Sequence, residues 1–260
     1  MKPSAPCLAA ALTLASLSTA HAVVLYGPAT PPPTPPLLNA APSNFFYFAD
    51  TAGVTVSPGT AGTVLNSILA GNVAKAGFSA ANNSFPFTNP LMPVLTESTG
   101  YDLLFRVGIT AEQHVDRNSN GNLADDDRAG FSVLVLSSDH LGLELGFFTD
   151  RIFSQNANFV GQGETTPFNT TPMTDYDLHI ANGQYTLSSG GNVLLSGSLR
   201  DYSAGGAPYT IPNFLFVGDD TTSAAGTAEV SHLEIAVPEP ASLTFLALAA
   251  PALLARRRRA

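Results

Sequence analysis

Apolar and polar residues alternate along much of the second half of the chain, the pattern of half-buried β-strands. Residues 103–109 place an apolar side chain at every second position, and residues 141–148 and 175–181 repeat this period. Residues 131–136 are a nearly continuous run of apolar β-formers, which predicts a strand buried on both faces. Asn182 and Gly183 follow the third alternating stretch and predict a tight hairpin turn.

The remaining patterned stretches are short and separated by Gly, Asn and Ser. No long stretch of helical periodicity occurs outside the two ends of the chain, and residues 57–98 are too mixed to predict an element. Short strands divided by turns predict an all-β protein of the sandwich or jelly-roll type. The further predicted strands are residues 44–48, 184–187, 192–195, 213–217 and 228–235.

The first 22 residues have the features of a secretory signal peptide. Lys2 supplies the positive charge, Cys7–Leu17 is apolar, and Ala20-His21-Ala22 fits a signal-peptidase site. We therefore expect export through the Sec translocon and cleavage after Ala22. Cys7 is the only cysteine, so the mature protein would have no disulfide and no thiol chemistry.

The C-terminus combines a short apolar run with a basic end. Residues 241–255 are 15 apolar or small residues, fewer than the ~20 that cross a bilayer as a helix. Arg256, Arg257, Arg258 and Arg259 follow directly, and by the positive-inside rule they predict a cytoplasmic end. The run is thus predicted to be a short transmembrane helix that tethers the chain to the inner membrane, transiently or permanently.

The tail as a whole resembles a PEP-CTERM sorting signal, also called an ice-binding protein C-terminal domain. Pro238, Glu239 and Pro240 precede the apolar run and the arginine cluster in the order of that signal. The resemblance implies a Gram-negative bacterium, an exosortase that recognises the motif, and delivery to the cell envelope or to a biofilm matrix. The three motif residues would then be recognised rather than catalytic.

These features divide the chain into four predicted parts. They are a signal peptide (1–22), a proline-rich linker or arm (23–43), a β-sandwich domain (44–236) and the sorting segment (237–260). Five of the eleven Lys and Arg residues lie in the two end segments, so the sandwich is more acidic than the net charge of −9 suggests. An acidic body argues against nucleic acid as a partner.

The order of segments in the body resembles concanavalin A-like lectin/glucanase jelly rolls. The segments that carry the resemblance are residues 127–133, 141–147, 174–178, 197–202 and 213–220. The resemblance implies the jelly-roll fold and leaves the ligand open, because the superfamily contains lectins that bind polysaccharides, glycosidases and structural modules. The Glu-x-Asp-x-x-Glu motif of its glucanases is absent. We therefore expect non-catalytic adhesion or glycan binding, with two alternatives: a purely structural matrix component, or a diverged glycoside hydrolase that uses Glu144 or Asp175.

One loop has the ligand spacing of a calcium site. Asp116, Asn118 and Asn120 occupy positions 1, 3 and 5, Gly121 permits the turn, and Asn122 offers its carbonyl. Asp127 stands where such loops usually carry a bidentate Glu. The alternative is a solvated acidic turn.

Asp219 and Asp220 form a second candidate, for a cation or for sugar hydroxyls, beside the alternative of a plain turn. No histidine pair at metal-ligand spacing and no phosphate-binding or nucleophile motif occurs.

The calcium prediction concerns stability rather than catalysis. Asp116→Ala should lower the melting temperature in calcium, because one ligand of the ion is lost, and should have little effect in chelator. Equal shifts under both conditions, followed by circular dichroism, would exclude the site.

The sorting prediction concerns the C-terminus of the mature protein. We expect the secreted form to lack the residues beyond about Pro240, because a 15-residue apolar run is marginal as a permanent span. Mass spectrometry of the C-terminal peptide tests this, and an intact Arg256–Arg259 on the mature protein would contradict it.

Overall fold

The computed structural model describes residues 20–27, 35–68, 74–114 and 128–238. The chain divides into two compact units, of which Ala22–Val237 is the larger. Residues 20–21 and 238 are the described part of the other unit, Met1–His21 with Pro238–Ala260. None of the described residues forms a helix long and apolar enough to cross a bilayer.

The described residues form sixteen strands and a short 3-10 helix over Ser203–Gly205. The strands are β1 (Ala20–Tyr26), β2 (Phe46–Ala49), β3 (Thr55–Pro58), β4 (Thr63–Asn66), β5 (Ala76–Ala81), β6 (Tyr101–His114), β7 (Ser132–Leu136), β8 (Leu141–Phe147), β9 (Arg151–Gln155), β10 (Gln162–Pro167), β11 (Thr174–Ala181), β12 (Gln184–Ser189), β13 (Asn192–Ser198), β14 (Arg200–Asp201), β15 (Phe214–Asp219) and β16 (Ala224–Pro238).

The strands form two sheets. The first sheet has the order β13-β12-β11-β6-β16-β4-β3, with β1 also paired to β16. The second sheet has the order β10-β9-β8-β7-β15-β5-β2, with β14 also paired to β8. Neighbouring strands along both paths are antiparallel. The predicted all-β jelly-roll sandwich is therefore confirmed.

The main core lies between the two sheets and follows the period of two in the sequence. Leu103, Phe105 and Val107 of β6 are buried in it, together with Val133 and Val135 of β7. In β11 every second residue is buried, and the residues between them are exposed, because successive side chains of a strand point to opposite faces. The alternating stretches of β6 and β11 were thus interpreted correctly, whereas β8 is a strand as predicted but is buried on both faces.

The predicted hairpin at Asn182-Gly183 is also present. Ala181 pairs with Gln184, so the loop between β11 and β12 has two residues. Asn182 and Gly183 have φ values of 52° and 71°. Two consecutive positive φ angles define the type I′ turn, which Asn-Gly favours.

The structure differs from the prediction over residues 23–43, which the sequence marks as a linker or arm. Part of this range belongs to β1, where Leu25 and Tyr26 are buried, and Leu38 is buried as well. The reason is that Val23–Tyr26 is an apolar, β-forming run. Packing these side chains against the sandwich removes them from water and so stabilises the folded protein. Residues 28–34 lie outside the described part of the chain.

The second sheet is apolar on both faces, as predicted for residues 131–136. Each residue of β7 and of β15 is buried. The outward side chains Leu134, Leu136, Phe214 and Phe216 form a second hydrophobic cluster with Tyr202 and Tyr209. Those two tyrosines belong to the segment between β14 and β15, residues 202–213, which we call the cover loop. It lies against the outer face of the second sheet.

Candidate functional site

A buried group of charged and polar side chains lies between the outer face of the second sheet and the cover loop. We call Arg128, Glu144, Tyr209 and Asp220 the Arg128 cluster. Nη2 of Arg128 lies 3.0 Å from Oε1 of Glu144 and 2.6 Å from Oδ2 of Asp220. The Tyr209 hydroxyl lies 3.1 Å from Oε2 of Glu144 and 2.7 Å from Oδ2 of Asp220.

Four separate segments supply these residues. Arg128 lies in the segment just before β7. In β8, Leu143 and Leu145 face the core, so Glu144 between them points outward. Asp220 follows the last residue of β15, and Tyr209 belongs to the cover loop. The site therefore exists only in the assembled sandwich.

The side chains of the cluster are almost removed from water. Their exposed fractions are 9% for Arg128, 1% for Glu144 and 13% for Asp220. Burial would lower the pKa of Arg128, but its acidic neighbours, Asp220 first and Glu144 second, outweigh burial and raise that pKa, so the guanidinium stays charged. Burial first, and the negative charge of Asp220 second, raise the pKa of Glu144 despite the neighbouring Arg128.

The hydrogen-bond inventory agrees with a protonated Glu144. A tyrosine hydroxyl has one hydrogen, yet Tyr209 lies within hydrogen-bond distance of two carboxyl groups. Burial and the two neighbouring acids raise the pKa of Tyr209, so the phenol keeps its hydrogen. If Glu144 donates to Tyr209 and Tyr209 donates to Asp220, each hydrogen has one acceptor. In this arrangement Oδ2 of Asp220 accepts from Tyr209 and lies 2.6 Å from Nη2 of Arg128.

Phe159 covers the cluster from the turn between β9 and β10. Cζ of Arg128 lies 4.8 Å from the centre of the Phe159 ring, and the Tyr209 ring centre lies 4.8 Å away. The φ of Phe159 is 59°, an unfavourable backbone angle for an aromatic residue. The N–H of Phe159 donates to the carbonyl of Asn156 at 2.9 Å and so helps to hold this conformation. Backbone strain of this kind is concentrated at functional sites.

An open pocket of about 400 Å³ lies beside the cluster, and we call it the Tyr209 pocket. This volume is within the range of about 300–1,000 Å³ that small-molecule sites occupy. Three side chains of the Arg128 cluster reach the pocket, and Glu144 lies behind them. Its lining residues are Phe48, Lys75, Arg128, Leu134, Phe159, Gly205, Ala207, Pro208, Tyr209, Phe216 and Asp220.

Gly77 helps to shape the aromatic wall of the pocket. A β-carbon at this position would lie 2.3 Å from the Phe216 ring, so only glycine lets that ring lie across β5. Phe48 stacks on Phe216, with 5.9 Å between the ring centres. The wall is thus built by packing on the sheet rather than by a free loop.

A second, more apolar cavity of about 260 Å³ adjoins the pocket, and we call it the Phe46 groove. It shares Phe48, Ala207 and Pro208 with the Tyr209 pocket and adds Phe46, Ser79 and Phe87. The Tyr209 pocket and the Phe46 groove are continuous because they lie over one row of paired residues that crosses five strands of the second sheet. The row is Glu144, Leu134, Phe216, Ser79 and Phe46. Four strand spacings of ~4.8 Å give this row a length of ~19 Å.

The two candidate aspartates lie in different surroundings. Asp220 lines the Tyr209 pocket. Asp219 is fully buried and accepts hydrogen bonds from Ser67 at 2.5 Å and from the N–H of Thr221 at 3.1 Å. Burial raises the pKa of Asp219 to about 8, against the effect of these two bonds. Asp219 thus stabilises the turn between β15 and β16.

The other predicted site residues fall largely outside the described chain. These are the five calcium candidates Asp116, Asn118, Asn120, Asn122 and Asp127, together with Glu239, Pro240 and Arg256–Arg259. Pro238 ends β16 and is exposed. Over residues 20–27, 35–68, 74–114 and 128–238, no group of three His, Cys, Asp or Glu side chains is arranged to hold a metal.

Asp175 and Asp177 lie on the exposed face of the first sheet, whereas Glu144 belongs to the second sheet. Oδ2 of Asp175 lies 3.7 Å from Nη1 of Arg106, and both side chains are exposed. The structure therefore does not bring Asp175 together with Glu144.

Sequence reasoning did not identify Arg128, Tyr209, Phe159 or Lys75 as site residues. One signal was available: Glu144 is the only charged residue within the apolar strand β8, and a carboxyl group buried there requires a partner. The identity of that partner depends on the sheet order and could not be read from spacing.

No protein-family model matches the chain, and no curated protein matches it. Similar solved structures include a carbohydrate esterase from the Shiga toxin-encoding bacteriophage phi24B, with 12% identity and a TM-score of 0.47 over 74% of this chain and 90% of that chain. The cellulose induced protein Cip1 has 10% identity and a TM-score of 0.46, over 74% and 90%. The carbohydrate-binding module CBM66 from Bacillus subtilis has 8% identity and a TM-score of 0.38, over 72% and 94%. At these values the likeness carries no information about what this chain binds.

The raised pKa of Glu144 predicts a pH-dependent stability that Glu144→Gln should reduce. A carboxyl group whose pKa is raised by folding stabilises the fold below its unfolded pKa, and this contribution is lost as the pH rises towards the folded pKa. The wild-type free energy of unfolding should therefore fall between pH 5 and pH 8, by on the order of 1 kcal/mol per pH unit for each such group. In Glu144→Gln the fall should be smaller, because the amide cannot ionise.

Urea unfolding of both proteins across this pH range measures the difference. Asp219, which has a raised pKa as well, is present in both proteins and cancels in the comparison. Two parallel curves would show that Glu144 does not ionise differently in the folded state.

Proposed function

We propose that this protein is a non-catalytic glycan-binding protein of the cell envelope or extracellular matrix, and that the Tyr209 pocket is its binding site. The single observation that carries the proposal is the combination of fixed polar groups and aromatic walls in one open pocket. Arg128, Tyr209 and Asp220 form the polar side, and Phe48, Phe159 and Phe216 form the aromatic side.

This combination matches the surface of a sugar ring. A pyranose presents polar hydroxyl groups at its edge and C–H groups on its faces, so it needs hydrogen-bonding groups and flat apolar groups side by side. A charged guanidinium and a carboxylate form stronger hydrogen bonds to hydroxyl groups than neutral groups do. Because the Arg128 cluster is already held by its internal hydrogen bonds, binding requires little ordering of these side chains.

The extent of the site supports an oligosaccharide rather than a single sugar. The Tyr209 pocket continues into the Phe46 groove through Phe48, Ala207 and Pro208. The row of residues beneath them is ~19 Å long. A chain of sugar units could thus contact polar groups at one end and aromatic rings at the other.

The surroundings of Glu144 favour binding over catalysis. A general acid must reach the proton acceptor of its substrate within hydrogen-bond distance. Glu144 is 1% exposed, and its two oxygens already contact Arg128 and Tyr209. The diverged glycoside hydrolase remains the second candidate, because two carboxyl groups, Glu144 and Asp220, meet at Tyr209. It predicts sugar release that Glu144→Gln abolishes.

Export and sorting complete the proposal. The signal peptide and the PEP-CTERM-like tail with Pro238, Glu239 and Pro240 support delivery to the envelope by an exosortase. Calcium bound by residues 116–127 would stabilise the sandwich without entering the binding step. A purely structural matrix protein is the alternative, and it predicts no glycan binding.

Glycan binding is tested with the full-length protein on an array of bacterial and plant polysaccharides. We expect binding to at least one polysaccharide without release of reducing ends. Phe159→Ala should weaken this binding about tenfold or more, because it removes an aromatic wall at the centre of the site. Val160→Ala, one residue further along the same turn at an exposed position, is the matched control and should bind normally.

An array on which the wild-type protein binds no glycan would contradict the proposal and favour the structural alternative. Release of reducing ends would favour the hydrolase instead.

A further inference from the structure

Lys75 brings to the Tyr209 pocket a positive charge that forms no ion pair with the described residues. Lys75 is one of two lysines in the chain, and the other is Lys2. Its side chain lines the pocket. Its backbone N–H donates to Asp50 at 2.7 Å, but no hydrogen bond or ion pair joins its ammonium group to the rest of the described chain.

The position of Lys75 follows from the strand register. Asp219 at the end of β15 pairs with Ala76 at the start of β5. Asp220 follows Asp219 and Lys75 precedes Ala76, so these two residues are neighbours at the end of the second sheet. Asp220 is nevertheless engaged elsewhere: its carboxylate contacts Arg128 at 2.6 Å and Tyr209 at 2.7 Å. Lys75 thus lines the pocket without an ion pair to Asp220 or to another carboxylate of the described residues.

The charges around the pocket sum to a positive value. Arg128 and Lys75 are the cations of the lining, and Asp220 is its one carboxylate. Glu144 lies behind Arg128, and its raised pKa favours the neutral form. This local excess of positive charge occurs in a chain whose net charge is −9. A partly exposed lysine that forms no ion pair in an acidic protein is available to an anionic group of a ligand.

We propose that the ligand is an acidic glycan and that Lys75 determines this specificity by binding its anionic group, a carboxylate or a sulfate. The inference rests on the proposed function of the Tyr209 pocket. The overall negative charge of the protein does not oppose it, because exposed charges more than ~8 Å apart are largely screened at physiological ionic strength. Contact inside the pocket is therefore decided by the nearby groups, Lys75, Arg128 and Asp220.

The test compares polysaccharides that differ only in charge. The first pair of probes is polygalacturonate and its carboxyl-reduced form, and the second pair is dextran sulfate and dextran. All four are placed on the array beside neutral glycans. We expect the wild-type protein to bind at least one acidic member about tenfold more tightly than its neutral counterpart. Which pair responds distinguishes a carboxylate from a sulfate.

Three variants separate the role of Lys75 from a general effect of charge. Lys75→Met should remove the preference for the acidic member, and added salt should then have little effect on binding. Lys75→Arg should retain the preference. Arg106→Met removes the same charge from the exposed face of the other sheet and should bind like the wild type.

The outcomes decide between the two proposals. Equal binding of the charged and neutral members by the wild-type protein, or an unchanged preference in Lys75→Met, would refute the inference and leave glycan binding intact. Absence of binding to every glycan, neutral or acidic, would refute the proposed function and this inference with it. If Lys75→Met does not fold, the comparison of paired probes on the wild type and the Lys75→Arg variant still decides.

Discussion

The second sheet has two apolar faces, and this constraint determines where the candidate site lies. One face packs against the first sheet in the main core, and the other carries Leu134, Leu136, Phe214 and Phe216. Removing such apolar surface from water stabilises the fold by about 25 cal/mol for each Å² that is buried. The cover loop supplies that shielding through Tyr202 and Tyr209. The cover loop does not fill the whole face, and the Tyr209 pocket and the Phe46 groove lie open beside it.

The Arg128 cluster gives this apolar surface its polar end. A buried guanidinium needs ion-pair and hydrogen-bond partners, and loss of one partner from a buried ion pair typically costs about 3–5 kcal/mol. Here the partners come from β8 and from the turn after β15, while Tyr209 comes from the cover loop. The same contacts therefore attach the loop to the sheet and hold Asp220 at the pocket. A rigid polar group beside aromatic rings is what a glycan site requires. The four side chains of the Arg128 cluster therefore stabilise the fold, and three of them also form the polar side of the proposed binding site.

Much of the fold could be predicted from local pattern, and the site could not. The period of two identified β6, β8 and β11, the apolar run identified β7, and Asn182-Gly183 identified the hairpin, because each depends on neighbours in sequence. Strand β1 was missed because the proline-rich sequence after it suggested an unpacked arm. Arg128 is 81 residues from Tyr209 in the chain, and the two meet only because of the sheet order and the path of the cover loop. The calcium loop and the sorting tail stay predictions, since both fall beyond the described residues.

The central claim is that a glycan binds on the outer face of the second sheet, in the Tyr209 pocket. A crystal structure of the protein with a bound oligosaccharide tests this claim most directly. We expect a sugar ring against Phe159 or Phe216, with its hydroxyl groups hydrogen-bonded to Asp220 and Arg128 and the chain continuing towards Phe46. An oligosaccharide bound on the exposed face of the first sheet, beside Asp175 and Asp177, with the Tyr209 pocket filled only by water, would contradict it.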